Sequence, residues 1–90
     1  INMNYNDLGN ILTSYTLPIK TNCFDFSDLS SNRMITFSYY TINSTNRPTD
    51  NYGLLISYRV SSVQYILYAL GKDGIYICKY TDNNKSWNLV

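Results

Sequence analysis

The stretch that decides the fold is GLLISYRVSSVQYILYALGKDGIYICKY, which runs from Gly53 to Tyr80. It contains three apolar, tyrosine-rich runs, Gly53–Val60, Gln64–Leu70 and Ile75–Tyr80. Runs of this length that are rich in Ile, Tyr and Val and are separated by Gly, Asp and Ser are typical of antiparallel strands. The stretch therefore predicts a β-meander of three strands.

The break Gly71-Lys72-Asp73-Gly74 predicts a tight hairpin between the second and third runs. We expect the glycines, Gly74 in particular, to supply the positive φ angles of a two-residue turn. The turn residues are either Asp73-Gly74 or Lys72-Asp73, and both choices place the same side chains on each face. One face holds Tyr65, Leu67, Ala69, Tyr76, Cys78 and Tyr80, and the other holds Ile66, Tyr68, Leu70, Ile75, Ile77 and Lys79.

Both faces of this hairpin are largely apolar. A solvated antiparallel sheet normally shows one clearly polar face, so we expect another element to cover the second face. The candidates are the N-terminal segment and another subunit. The connection between Val60 and Val63 leaves one alternative open, because a one-residue difference in its length exchanges the two faces of the first strand.

Upstream of this stretch, the sequence predicts one more strand and a lead-in. In Arg33–Ile42, the residues Ile35, Phe37 and Tyr39 share one face. Residues 1–25 are expected to be a linker or a short helical lead-in, since apolar residues from Leu8 to Tyr15 have helical spacing. The prediction is a mostly β domain over residues 26–90, a small antiparallel meander sheet with a short helix or irregular segment at the N-terminus.

Composition limits the classes of function. The 90 residues suit one domain, and a start at Ile1 instead of Met suggests a fragment or a processed product. Seven cations against six acids argue against a nucleic-acid binder. No run approaches the roughly 18–20 apolar residues of a membrane span, so no membrane insertion is expected.

Catalysis is not expected, because the chain has no His and no Glu. A Ser–His or Cys–His nucleophile system therefore cannot form within one chain. Zinc would lack its usual imidazole ligands, so we predict no metal and no cofactor. Cys23 and Cys78 are expected to be reduced thiols used as small apolar side chains.

The candidate binding residues lie in the loop Asn43–Asn51, which has no apolar side chain apart from Pro48, and at Tyr52 directly after it. Exposed polar loops often carry binding residues, although a plain connection between strands is the alternative. Hydrogen-bonding side chains beside a tyrosine suit a sugar ligand, since the ring stacks and the polar groups bond hydroxyls. The candidate site comprises Asn46, Arg47, Asp50, Asn51 and Tyr52.

A set of short signals with a familiar spacing covers Phe26–Val90. They are Asp28-Leu29, Tyr39-Tyr40, Asn46-Arg47-Pro48, Tyr52-Gly53-Leu54-Leu55, Gln64, Gly74-Ile75-Tyr76-Ile77, Lys79 and Trp87. In this order they resemble the pyocin-knob type of module, which occurs in tail fibres and receptor-binding proteins of bacteriophages and phage-like bacteriocins. The chain departs from that pattern at Lys79, where the family commonly has Arg, and in ending with a single Trp.

The resemblance implies a non-catalytic module of a phage tail fibre that recognises a host cell-surface glycan or protein. It also implies a homotrimer in the parent fibre, and a location in the virion, a phage tail or tail-like particle assembled in the bacterial cytoplasm. Two alternatives stay open. The module is a structural spacer or trimerisation unit of a fibre, or it is an accessory domain of a polysaccharide-degrading enzyme.

Overall fold

In the computed structural model of the protein, residues 16–49, 51–82 and 84–90 are described, and they form one antiparallel sheet. Its strands are β1 (Ile35–Tyr40), β2 (Gly53–Ser61), β3 (Gln64–Gly71), β4 (Ile75–Tyr80) and β5 (Asn88–Leu89). Each strand pairs with its neighbour in sequence, so the predicted mostly β meander is confirmed. The helix predicted before Pro18 lies outside the described residues.

The β3–β4 hairpin has the predicted pairing but not the predicted turn geometry. Leu70 pairs with Ile75, and the Gly71 backbone N–H donates to the Gly74 carbonyl at 2.9 Å. The turn is therefore Lys72-Asp73, one of the two alternatives. The expectation that glycine supplies a positive φ angle is wrong, since no described glycine has one. The chain reverses here at φ values that are open to every L-residue.

A β-bulge determines which side chains of β2 lie on each face of the sheet. Arg59 pairs with Tyr65, but the next pair is Ser61 with Gln64, so Val60 is an extra residue without an opposite partner. This extra residue aligns the two faces of β2 with those of β3. As a result Leu55 and Ser57 share a face with the core residues of β3 and β4.

The core lies on one face of the sheet, called here the covered face. The segment between residues 20 and 34 packs on it and buries Cys23 and Leu29. Arg59 ties this segment to β2, because its Nη1 donates to the Leu29 carbonyl at 3.0 Å. The buried cluster consists of Cys23, Tyr40, Leu55, Leu67, Ala69, Tyr76 and Cys78. The prediction that both cysteines are free thiols is confirmed.

The described part of the expected lead-in belongs to the folded unit. The Tyr39 N–H donates to the Pro18 carbonyl, and the Lys20 N–H donates to the Tyr39 carbonyl at 2.7 Å. Ile19 thereby forms a parallel bridge with Tyr39 at the outer edge of β1. Cys23, which also precedes residue 26, is fully buried and belongs to the core cluster.

The opposite face of the sheet, called here the open face, is apolar and solvent-exposed. Phe37 is 50% exposed, Tyr68 is 41% exposed and Ile75 is 49% exposed. The expected second apolar face therefore exists, with its side chains in three rows of four across β1–β4. These side chains are Ile35, Tyr58, Ile66 and Lys79, then Phe37, Ile56, Tyr68 and Ile77, then Tyr39, Leu54, Leu70 and Ile75.

Candidate binding surface

The loop between β1 and β2 is fastened to the segment that precedes β1. The Thr45 N–H donates to the Thr21 carbonyl, and the Cys23 N–H donates to the Thr45 carbonyl. The Ser44 hydroxyl is buried and donates to the Lys20 carbonyl at 2.6 Å. The loop is therefore less exposed than its polar sequence suggests, because its hydroxyl groups replace water in bonding the backbone.

Asn46 joins three distant parts of the chain. Its backbone has a φ of 57°, a left-handed value that Asn tolerates better than most residues. Its side-chain nitrogen donates to the Asn22 side-chain oxygen at 2.8 Å, and its carbonyl accepts a bond from Trp87 Nε1 at 2.8 Å. An exposed residue is thus held in one position by partners on both sides.

The next three residues continue along the covered face. Arg47 is half-buried, and its Nη1 lies 3.4 Å from the Pro48 carbonyl. Pro48 is buried, and the Thr49 hydroxyl lies 2.9 Å from the Tyr76 hydroxyl. Arg47 is also close enough to the buried Cys23 to act on the pKa of its thiol.

The remaining predicted site residues lie at the far end of the loop. Asn51 is exposed and Tyr52 is 54% exposed, directly before β2 begins. Asp50 lies outside the described residues. The structure thus bonds Asn46 to Trp87 and places Asn51 and Tyr52 just before the start of β2.

The predicted site did not include an aromatic cluster that lies beside Asn46. Its five rings are partly buried against the core, and Trp87 stacks on Phe24 with ring centroids 6.0 Å apart. The ammonium group of Lys85 lies 5.2 Å from the centre of the Tyr80 ring. The sequence shows that Phe24 and Phe26 alternate with polar residues, but it does not show that Phe24 stacks on Trp87. The cluster consists of Phe24, Phe26, Tyr65, Tyr80 and Trp87.

Neither Cys23 nor Cys78 has the lowered pKa of an activated nucleophile. Burial raises the pKa of the Cys78 thiol to about 11. Burial also raises the pKa of Cys23 to about 11, and the nearby cations Lys20 and Arg47 offset this only in part. A thiol with so high a pKa holds its proton at neutral pH and is a poor nucleophile. The pKa of the exposed Asp25 is lowered by a hydrogen bond from the Ser27 backbone.

No group of three metal-ligating side chains comes together in the described ranges. What the loop and the aromatic cluster do offer is exposed ring surface beside amide groups. Aromatic faces stack on sugar rings, while Asn and Arg side chains bond hydroxyl groups. Groups of these kinds can take part in non-covalent recognition of a polar ligand.

The chain was compared with protein-family models, with curated proteins and with solved structures, and none of the three comparisons gave a match. In the part of the chain that the structure describes, no helix is long and apolar enough to cross a membrane.

Proposed function

We propose that this chain is a non-catalytic recognition module of a bacteriophage tail fibre, which binds a host cell-surface glycan through the loop Asn43–Asn51 and Tyr52. The proposal of glycan binding rests on one observation: an exposed aromatic ring lies beside an exposed amide, at the end of an anchored loop. Tyr52 is 54% exposed and follows the exposed Asn51. The fibre part rests on the resemblance of the spaced motifs to pyocin-knob modules.

Anchoring matters for this function because a preformed site loses less conformational freedom on binding. The Asn46 backbone and side chain are already bonded to Trp87 and Asn22 in the free chain. Arg47 is half-buried beside them, which limits its side-chain freedom as well. The loop therefore offers a sugar polar groups in fixed positions around Asn46, and at its far end Tyr52 offers a ring able to stack.

The test is binding of the chain to host cells and to a glycan array, with Tyr52→Ala as the main variant. Loss of a stacked ring is worth about 1.4 kcal/mol, so affinity should fall about tenfold. The matched control is Val63→Ala, because Val63 is similarly exposed, at 57%, but lies in the β2–β3 turn. Equal binding by both variants would show that the loop is a plain connection.

Arg47→Ala and Asn51→Ala extend the test along the loop. Each should weaken binding by about 1 kcal/mol or more if its hydrogen bond to the ligand is lost. The melting temperature of Arg47→Ala must be measured first, because Arg47 is half-buried and its loss also removes packing. A stably folded variant that keeps full binding would remove Arg47 from the site.

The second candidate function is a spacer or trimerisation module of the same fibre, and the exposed apolar open face favours it. The proposed assembly in the parent fibre is a homotrimer located in the virion. The two functions differ in which surface matters, since a spacer needs the open face and not Tyr52. Glycan binding by a chain with an intact loop therefore separates them.

A further inference from the structure

The open face has the character of an interface and not of a solvated surface. Its middle row runs across four strands as Phe37, Ile56, Tyr68 and Ile77, with no polar interruption. The only charged side chain of its three rows is Lys79, at a corner. Soluble monomers rarely expose contiguous apolar patches of more than a few hundred Å².

The size of the open face matches what a stable interface needs. With strands about 4.8 Å apart and about 3.4 Å per residue, its four strands span roughly 15–20 Å in each direction. Six of its side chains are 39–51% exposed, Phe37, Tyr39 and Tyr68 among them. Because one aromatic side chain has about 150–250 Å² of surface, the exposed area is on the order of 600–800 Å². A standard interface buries about 800 Å² of each partner.

We infer that a second copy of this chain docks on the open face, sheet against sheet. An apolar surface with almost no charge is complemented by another apolar surface of similar shape, and an identical copy supplies one. A two-fold axis through the centre of the face would place the same patch on both copies. Two sheets packed in this way lie about 10 Å apart and interdigitate their side chains.

The position of the one charge is consistent with this arrangement. Lys79 lies at the corner formed by β4 and the row that contains Ile35, at the rim and not at the centre. A two-fold contact through Tyr68 and Ile56 therefore leaves both Lys79 ammonium groups in water. An acidic partner would find only this single cation, so charge gives no reason to prefer one. The inference does not depend on glycan binding.

The test is the molar mass of the full chain over a range of concentrations, measured by sedimentation or light scattering. We expect a reversible dimer with a dissociation constant in the micromolar range or below, whereas a trimer of the isolated chain would overturn the two-fold arrangement. Tyr68→Lys places like charges near the two-fold axis and should weaken association at least about a hundredfold. The matched control is Val63→Lys, which adds the same charge at a similarly exposed site outside the open face and should associate like the parent.

A second measurement covers the case in which Tyr68→Lys does not fold. Tyr68→Cys should form a disulfide-linked dimer under mild oxidation, whereas Val63→Cys should not. The native thiols do not interfere, because Cys23 and Cys78 are fully buried. A parent chain that stays monomeric at millimolar concentration overturns the inference, whatever then covers the open face. Association that Tyr68→Lys leaves unchanged also overturns it.

Discussion

Gly53 is the position where one added methyl group is expected to disturb the sheet. A Cβ atom there would lie 2.6 Å from the Leu70 carbonyl oxygen and 2.8 Å from the Gly71 Cα atom. It would also lie 2.7 Å from the Tyr40 hydroxyl. Two of these neighbours are backbone atoms of β3, a central strand, and they cannot rotate away. Gly53→Ala therefore forces β2 and β3 apart at the point where Gly53 pairs with Gly71.

The expected cost follows from the atoms that must move. Overpacking a well-packed site costs about 1–3 kcal/mol, and a clash with backbone belongs in the upper half of that range, at about 2–3 kcal/mol. For a domain of this size each kcal/mol lowers the melting temperature by about 4–8 °C. Gly53→Ala should therefore melt roughly 10–20 °C below the parent chain.

Gly74→Ala is the matched control, since it makes the same substitution at the β3–β4 turn. A Cβ at Gly74 would meet the Leu89 Cδ1 atom at 2.8 Å, but that atom is the tip of a side chain that is 68% exposed. The leucine can rotate away, and replacing Gly with Ala also reduces the entropy of the unfolded chain. Stability should stay within about 0.5 kcal/mol of the parent.

Urea unfolding of the three chains, followed by circular dichroism and by Trp87 fluorescence, measures the difference. Coincident transitions by the two probes are needed before free energies are compared. If Gly53→Ala and Gly74→Ala unfold at the same urea concentration, the inference that the surrounding atoms at Gly53 leave no room for a Cβ atom is wrong.

Four further predictions concern buried polar groups and thiols. Ser57→Ala should be neutral or stabilise by about 1 kcal/mol, because its buried hydroxyl has no hydrogen-bond partner among the described residues. Ser44→Ala, which removes a buried hydroxyl with two hydrogen bonds, should cost about 1–2 kcal/mol; urea midpoints compare the two. Asp28→Asn should lower the free energy of unfolding by about 1–2 kcal/mol, since it breaks a 3.0 Å ion pair with a buried lysine; an unchanged urea midpoint would contradict this. The pKa values of Cys23 and Cys78 are raised from 9.0 to about 11 by burial, so the folded chain holds these protons more tightly. Stability should therefore fall as the pH rises from 9 to 11, and urea midpoints across that window should fall less in a Cys78→Ala variant.

Much of the hairpin was predictable because its information is local. Side chains alternate with a period of two, so either two-residue turn puts Leu67 on the same face as Cys78, and Tyr68 on the same face as Ile77. The same alternation predicted the faces of β1. The conformation of the turn was not predictable in this way, since the glycines there allow positive φ without requiring it.

About half of the candidate site could be predicted from the sequence. The exposed Tyr52 and Asn51 follow from a polar loop that precedes an apolar strand. The role of Asn46 does not, because its partners Asn22 and Trp87 lie 24 and 41 positions away. Contacts over such separations leave no periodic signal in the chain.

The sequence by itself determined a mostly β meander with two apolar faces, because local periodicity and turn residues suffice for both. Only the tertiary structure decided which face is covered. The extra residue Val60 aligns β2 with β3, and the segment with Cys23 and Leu29 then packs on the face that carries Leu67. Both faces are apolar, so hydrophobicity alone does not distinguish them. The covered face is the one against which the connections outside the hairpins place the segment with Cys23 and Leu29.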